Sequence, residues 1–291
     1  MLPSLKKRTP EPIRDIMRSW KYKSQQRRLA LLPPFSEDDF YRILTEELGI
    51  QKGRVVFFHS AAENLRPSFP QHHILTILRE VVGEEGTILT STYPRQLSSE
   101  FLKNDLVFDV RKTPSYTGVL SELFRRTKGT IRSLHPTKSV CAMGPYAYEL
   151  TNTHQNSPYP YDICSPYYKI MEHDGIIVNL GVSPLRVSLF HCVEDILKDE
   201  FPVKVYLDNL FEAKCINYDR NIEIVKTYAH DPSKMRRNVQ RYIDKYISKS
   251  IYQDVTIYGR RFFIVNAKSL FEQMIDLARK NITVYSRKVY K

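Results

Sequence analysis

His191 and Glu194 stand three residues apart in the stretch SLFHCVED, a spacing that places both on one face of a helix. Histidine titrates near neutrality and is the usual general base. A carboxylate one turn away can orient the imidazole, fix its tautomer or hold a cationic substrate. A second polar group precedes them: Arg132, Ser133, His135, Pro136 and Ser139, a run too short for a helix. His135 reads as readily as a structural histidine bonding a loop carbonyl. Cys192 adjoins His191, but neighbours on a helix point about 100° apart and nothing marks its thiol as activated. His59, His135, His154, His173 and His191 do not fall at metal-ligand spacing, and HxxE is not the HExxH of zinc hydrolases, so no metal is expected.

These residues need elements to position them. Gly175 precedes an apolar run, Ile176 to Leu180, closed by Gly181, which reads as a buried strand. Arg54 to Phe58 is another, ending at His59 and Ser60. Polar residues just beyond such a strand are where open α/β sheets bind ligands. Ile74 to Val82 reads as a helix and Thr87 to Thr92 as a strand. Val119 to Arg126 is a helix with Leu120, Leu123 and Phe124 inward, and Ser269 to Arg279 is the last clear one. Ser36 and Asp39 form a capping box for a helix ended by Gly49. Ala147 and Leu150 fall at helical spacing after Gly144, and Ser165-Pro166 opens a short helix. Residues 203–264 read as strand-like. Alternating strands and helices argue for an α/β sheet.

The chain has 291 residues, 42% of them hydrophobic, enough for one full core. A basic extension over residues 1–35 and a single domain over 36–291 are expected. In the extension, Ile13, Ile16, Met17 and Trp20 recur at helical spacing between basic residues. This amphipathic helix could touch a membrane surface weakly through residues 12–24, or pack on the domain or on a second subunit as a homodimer. No apolar run of about 18 residues suggests a membrane span, and no apolar core marks a secretory signal. Cys141, Cys164, Cys192 and Cys215 show no CxxC pairing, so reduced thiols and a cytoplasmic setting are expected. The net charge of +12 and pI of about 9.4 favour anionic partners or a solvated basic surface. No nucleic-acid-binding signature is present, so none is expected as a partner.

A series of motifs resembles the aminoglycoside 3-N-acetyltransferase family: FFHSAAENL (57–65), GEEGTILTSTYP (83–94), FDVRKTPSYTG (108–118), GTIRSLHPTKSVCAMGPYA (129–147), PYDICSPYYKI (160–170), GIIVNLGV (175–182) and SLFHCVE (188–194). RSxHPxxSxxAxG followed by SP and HxxE is specific as a combination. The resemblance implies the α/β fold of that family, a central sheet flanked by helices, distinct from the smaller GNAT acetyltransferases. It implies acetyl-CoA as co-substrate and direct transfer to a small-molecule amine. By that analogy His191 is the base, Glu194 its partner, and Ser188, where the family usually has threonine, a donor to the developing oxyanion. His59, Ser60, Ala61, Thr113, Ser115 and Gly118 would border the coenzyme A site, with Arg132 and Ser139 in its floor. Asp109, His135 and Asp195 would lie toward the acceptor.

The sequence departs from the family at Ala61, at AENLRPSFP after the strand end, and at Asp162 before SP. Its basic balance also suits a polycationic aminoglycoside poorly unless Asp109, Glu194 and Asp195 make a negative cleft. An amino sugar of a nucleotide or surface glycan is therefore the expected alternative acceptor. The rival reading is a family member without catalysis, binding nucleic acid or anionic membrane through its basic surface.

Overall fold

The structure, a computed structural model, describes residues 11–235 and 237–285. Helix α1 (Glu11–Ala30) is followed by α2 (Glu37–Arg42), which runs on as a π-helical turn, Ile43–Glu47. Ser36 caps α2 through the expected reciprocal bonds with Asp39. Next come β1 (Val55–Ser60), α3 (Ala62–Leu65), α4 (His73–Val82), β2 (Thr87–Ser91), α5 (Ser98–Lys103), β3 (Phe108–Asp109) and α6 (Val119–Arg126). The middle of the chain holds β4 (Ile131–Arg132), β5 (Val140–Met143), α7 (Ala147–Thr151), α8 (Pro166–Lys169), β6 (Ile176–Leu180) and α9 (Phe190–Leu197). It ends with β7 (Tyr206–Ile216), β8 (Ile222–His230), α10 (Val239–Tyr246), β9 (Tyr252–Ile257), β10 (Arg260–Asn266) and α11 (Ala267–Arg279).

The main sheet has the order β4-β5-β2-β1-β6-β10-β9. Its centre is parallel, with β1 between β2 and β6, and antiparallel pairs extend it on both sides. Successive residues of a strand point to opposite faces, and here both faces are apolar. Val55, Phe57 and Ile177 join a core with residues of α9, α10 and α11. Val56, Phe58 and Val178 join another with residues of α2, α4 and α6. Helices thus flank the sheet on both sides, as the alternation of elements predicts. A small second sheet, β3-β7-β8, has its own core of Phe101, Phe108, Ala213, Cys215 and Val225.

Two readings of the sequence change. The 203–264 region contains α10, with Val239, Tyr242 and Ile243 buried at i, i+3 and i+4. Trp20 does not pack on the domain: it is 76% exposed, and Ile13, Ile16 and Met17 are also exposed in the single chain. Only the end of the 1–35 segment docks, and residues 1–10 lie outside those described. Leu29 and Phe35 are buried, and the Arg260 guanidinium donates to the carbonyls of Pro33 and Leu65, fastening that segment to α3.

Candidate active site

The carboxyl ends of β1, β2 and β6 open onto a cavity of about 670 Å³, within the range of small-molecule sites. β1 contributes His59, Ser60 and then Ala61; β2 contributes Thr90 and Ser91, followed by Tyr93; Val182 follows β6. Ser188, His191, Tyr161, Lys138, His230 and Arg237 also line the cavity. Gly118 lines it with φ +127, and a Cβ there would stand 3.3 Å from the Ser60 carbonyl. The Ser60 hydroxyl is buried in this wall with no hydrogen-bond partner among the described residues.

α9 carries the central pair. Its Phe190, Val193 and Leu197 share a core with Leu270, Met274 and Ala278 of α11, which sets the helix's rotation. His191 Nδ1 lies 2.9 Å from Glu194 Oε2. The same oxygen is 3.0 Å from His230 Nε2, and Tyr285 donates to Oε1 at 2.6 Å. A carboxylate only accepts and a guanidinium only donates. His191 therefore carries its proton on Nδ1, donated to Glu194, and its Nε2 lone pair accepts from Arg237 at 2.9 Å. The free tautomer is the one a base facing the cavity needs.

Burial drives the ionisation of this cluster. Desolvation pulls His191 down to about 3, with the Arg237 charge assisting and Glu194 opposing. Burial would raise the Glu194 carboxyl, but His191 and His230 overcome it and hold the group below its ordinary value. The pair is thus neutral imidazole and carboxylate. His191, Glu194 and His230 have ligand atoms within 4.8 Å of one another and could surround a metal ion. As they stand, all three atoms are engaged in hydrogen bonds.

The site is stacked as well as bonded. The Tyr161 ring lies against His191 with centroids 4.8 Å apart, and its backbone N–H donates to Asp195 at 2.7 Å. Asp195 also accepts from the Tyr206 hydroxyl at 2.6 Å. Tyr206 stacks on His230 at 4.4 Å. A register irregularity between β7 and β8 beside Tyr206 and Leu210 pairs Tyr206 with His230, as bulges re-aim side chains. The Ser188 hydroxyl is 3.1 Å from that of Tyr93, which in turn accepts from Tyr167 at 2.8 Å.

Of the residues singled out in the sequence, the structure brings His59, Ser60, Ala61, Gly118, Ser188 and His191 to the cavity wall, with Glu194 directly behind His191. It does not bring the others there. Arg132 is buried at the end of β4, donating to Ser139 Oγ and to the carbonyls of Thr113 and Thr92. Ser139 bonds the Thr92 carbonyl. His135 accepts on Nδ1 from the backbone of Thr137 and Lys138 and is buried against Thr227, so it organises its loop. Asp109 is tied to Arg220 at 2.7 Å. Thr113 accepts from the Asp109 N–H, and Ser115 bonds Thr117 and Glu122. Asp195 reaches the site only through Tyr161 and Tyr206. Each of these polar groups already has a partner inside the protein.

His230, Arg237, Lys138 and Tyr161 are the members sequence reasoning passed over. His230 ends an alternating strand 39 positions from His191, with no local spacing to link them. Arg237 and Lys138 carry no spacing that ties them to His191.

Comparison with known proteins agrees with this architecture. The family model for aminoglycoside 3-N-acetyltransferase matches residues 57–279. Aminoglycoside N(3)-acetyltransferase IX of Micromonospora chalcea is 27% identical over 163 residues, 51% of this chain and 58% of that one. Aminoglycoside N(3)-acetyltransferase VII of Streptomyces paromomycinus is 30% identical over 201 residues, 62% and 68% of the two chains. The chain thus spans little more than half of the Micromonospora relative. Solved aminoglycoside acetyltransferase AAC(3)-Xa superposes with a TM-score of 0.73 at 20% identity, over 91% of this chain and 99% of that one. AAC-IIIb with CoASH gives 0.71 at 21%, over 87% and 100%. The matched span runs from within β1 through α11 and takes in both sheets, the cavity and the His191–Glu194 pair, and on that match the chain belongs to the aminoglycoside 3-N-acetyltransferase family.

Proposed function

We propose that the protein is an acetyl-CoA-dependent N-acetyltransferase in which His191 is the general base toward a small-molecule amine of amino-sugar type. The observation that carries this reading is the tautomer: Nδ1–H is held by Glu194, which leaves the lone pair on Nε2, covered by Arg237 of the cavity wall. Acetyl-CoA supplies an activated acyl group and a thiol leaving group. The amine is mostly ammonium at neutral pH, and once neutral must still shed a proton as it bonds to carbon. His191 Nε2 takes that proton as the carbon–nitrogen bond forms and the carbon–sulfur bond breaks, then returns it to the departing sulfur. Glu194 stabilises the imidazolium in between. The unpartnered Ser60 hydroxyl and that of Ser188 are the wall donors suited to the carbonyl oxygen.

The test is thiol release from acetyl-CoA across aminoglycosides and amino sugars, with His191→Gln alongside. General-base catalysis contributes about 10²–10⁴-fold, so kcat should fall by that factor while acetyl-CoA affinity holds. An unimpaired His191→Gln enzyme, or a wild-type chain that does not bind acetyl-CoA, refutes the proposal.

A further inference from the structure

The cavity wall carries Lys138, Arg186 and Arg237 against Glu63 as its lone carboxylate among the described residues. The acids that could have made a negative cleft are committed elsewhere. Asp109 is bonded to Arg220, Asp195 to Tyr161 and Tyr206, and Glu194 to three donors behind His191. In this cavity Glu63 is the acid left to receive an ammonium group; Asp199 and Asp208 line a separate pocket of about 340 Å³ that borders Glu194.

Two cations instead share the cavity wall with the base. Arg237 donates to His191 Nε2 itself. Lys138 holds its ammonium 4.7 Å over the Tyr93 ring, close enough to Arg237 to feel its charge. Among the described residues neither makes an ion pair. Two like charges at a partly desolvated wall, with the one carboxylate behind His191 opposite them, leave a positive excess that suits an anion. The phosphates of coenzyme A do not explain it. They lie a whole pantetheine arm from the thioester, whereas Arg237 sits on the nitrogen proposed to take the proton and Lys138 lines the same wall.

We propose that the acceptor carries an anionic group, a carboxylate, phosphate or sulfate, beside the amine that is acetylated, and that Lys138 and Arg237 bind it. The arriving anion draws the guanidinium off His191 Nε2, so that acceptor binding uncovers the base. This inference rests on the acetyltransferase reading and narrows its acceptor to anionic amines, away from polycations.

The test is calorimetry on the full chain saturated with coenzyme A, titrated with glucosamine, glucosamine 6-phosphate, galactosaminuronic acid and kanamycin. The acidic amino sugars should bind at least about tenfold more tightly than glucosamine, as charge-assisted bonds allow, and kanamycin more weakly than either. Which acidic sugar binds better separates phosphate from carboxylate. Lys138→Met should erase the preference and leave coenzyme A affinity within about twofold. Glucosamine or kanamycin binding as well as the acidic sugars, or no binding of any sugar, overturns the inference while bound coenzyme A keeps the acetyltransferase reading. An intact preference in Lys138→Met also overturns it. Failure to bind coenzyme A overturns both.

Discussion

Replacing Arg132 by methionine separates two roles for one residue. As a coenzyme contact, its loss would weaken ligand binding and leave the fold alone. The structure gives it another task. The residue is 3% exposed, and its guanidinium donates to Ser139 Oγ at 3.0 Å and to the Thr113 and Thr92 carbonyls at 2.5 Å each. It also lies 4.7 Å over the Phe108 ring, joining the main sheet to the second one. Burial lowers even this group to about 10, so methionine recovers some desolvation cost. Against that, the Thr113 carbonyl loses this donor, while the Thr92 carbonyl keeps Ser139. Breaking a buried charged network costs about 3–5 kcal/mol; with the recovered desolvation we expect about 3 kcal/mol. At roughly 2–4 °C per kcal/mol for a chain near this size, Tm should fall by about 6–12 °C. Thermal unfolding reads the stability, and calorimetry below the transition reads coenzyme A affinity. An unchanged Tm with tenfold weaker coenzyme A binding would refute the bracket role.

Acid should unfold the protein early. Burial lowers His59 and His191 to about 3 and His154 to about 4, so the unfolded chain binds these protons first and stability, complete above about pH 6.5, drains as pH falls toward 4. Each such histidine adds about 1.4 kcal/mol per pH unit, and a urea midpoint constant from pH 7.5 to 5 would contradict this. Glu194→Gln puts an amide N–H where only acceptors fit; kcat should drop about 10–100-fold and stability by about 2–4 kcal/mol, and a variant matching wild type in both would remove Glu194 from the design. Gly144→Ala sets a Cβ 2.3 Å from the Gly86 carbonyl at φ +131, so about 3 kcal/mol or more should be lost. Gly129→Ala, with nothing within 4 Å, should cost about 1 kcal/mol, and equal losses in urea unfolding would refute the steric argument.

The parts legible in the sequence are those with a local physical signature. Apolar runs marked β1, β2 and β6, the Ser36 box marked α2, and HxxE marked a pair whose contact depends only on helical geometry. Arg132 to Ser139 read as a ligand-facing loop because polar residues in an irregular stretch look alike whether they turn outward or inward. Here they turn inward and tie β4 to β5 and the backbone of residues 92 and 113. α10 was hidden by its basic residues, since three apolar positions in VQRYIDKY make a narrow stripe. His230 is set by the pairing of β7 with β8, and strand register is a long-range property.

The proposed base is held from two sides. α9, packed on the main sheet, supplies His191 and Glu194; the last residue of β8, in the small sheet, supplies His230 to the same carboxylate oxygen. Catalysis by His191, as proposed, would therefore sense whether the small sheet is seated. Sub-global opening commonly precedes full unfolding, and detachment of β7 and β8 would free the carboxylate from His230 while the seven-stranded core stays folded. Activity should then fade on warming before the main core melts, and amide exchange in β8 should mark that first step.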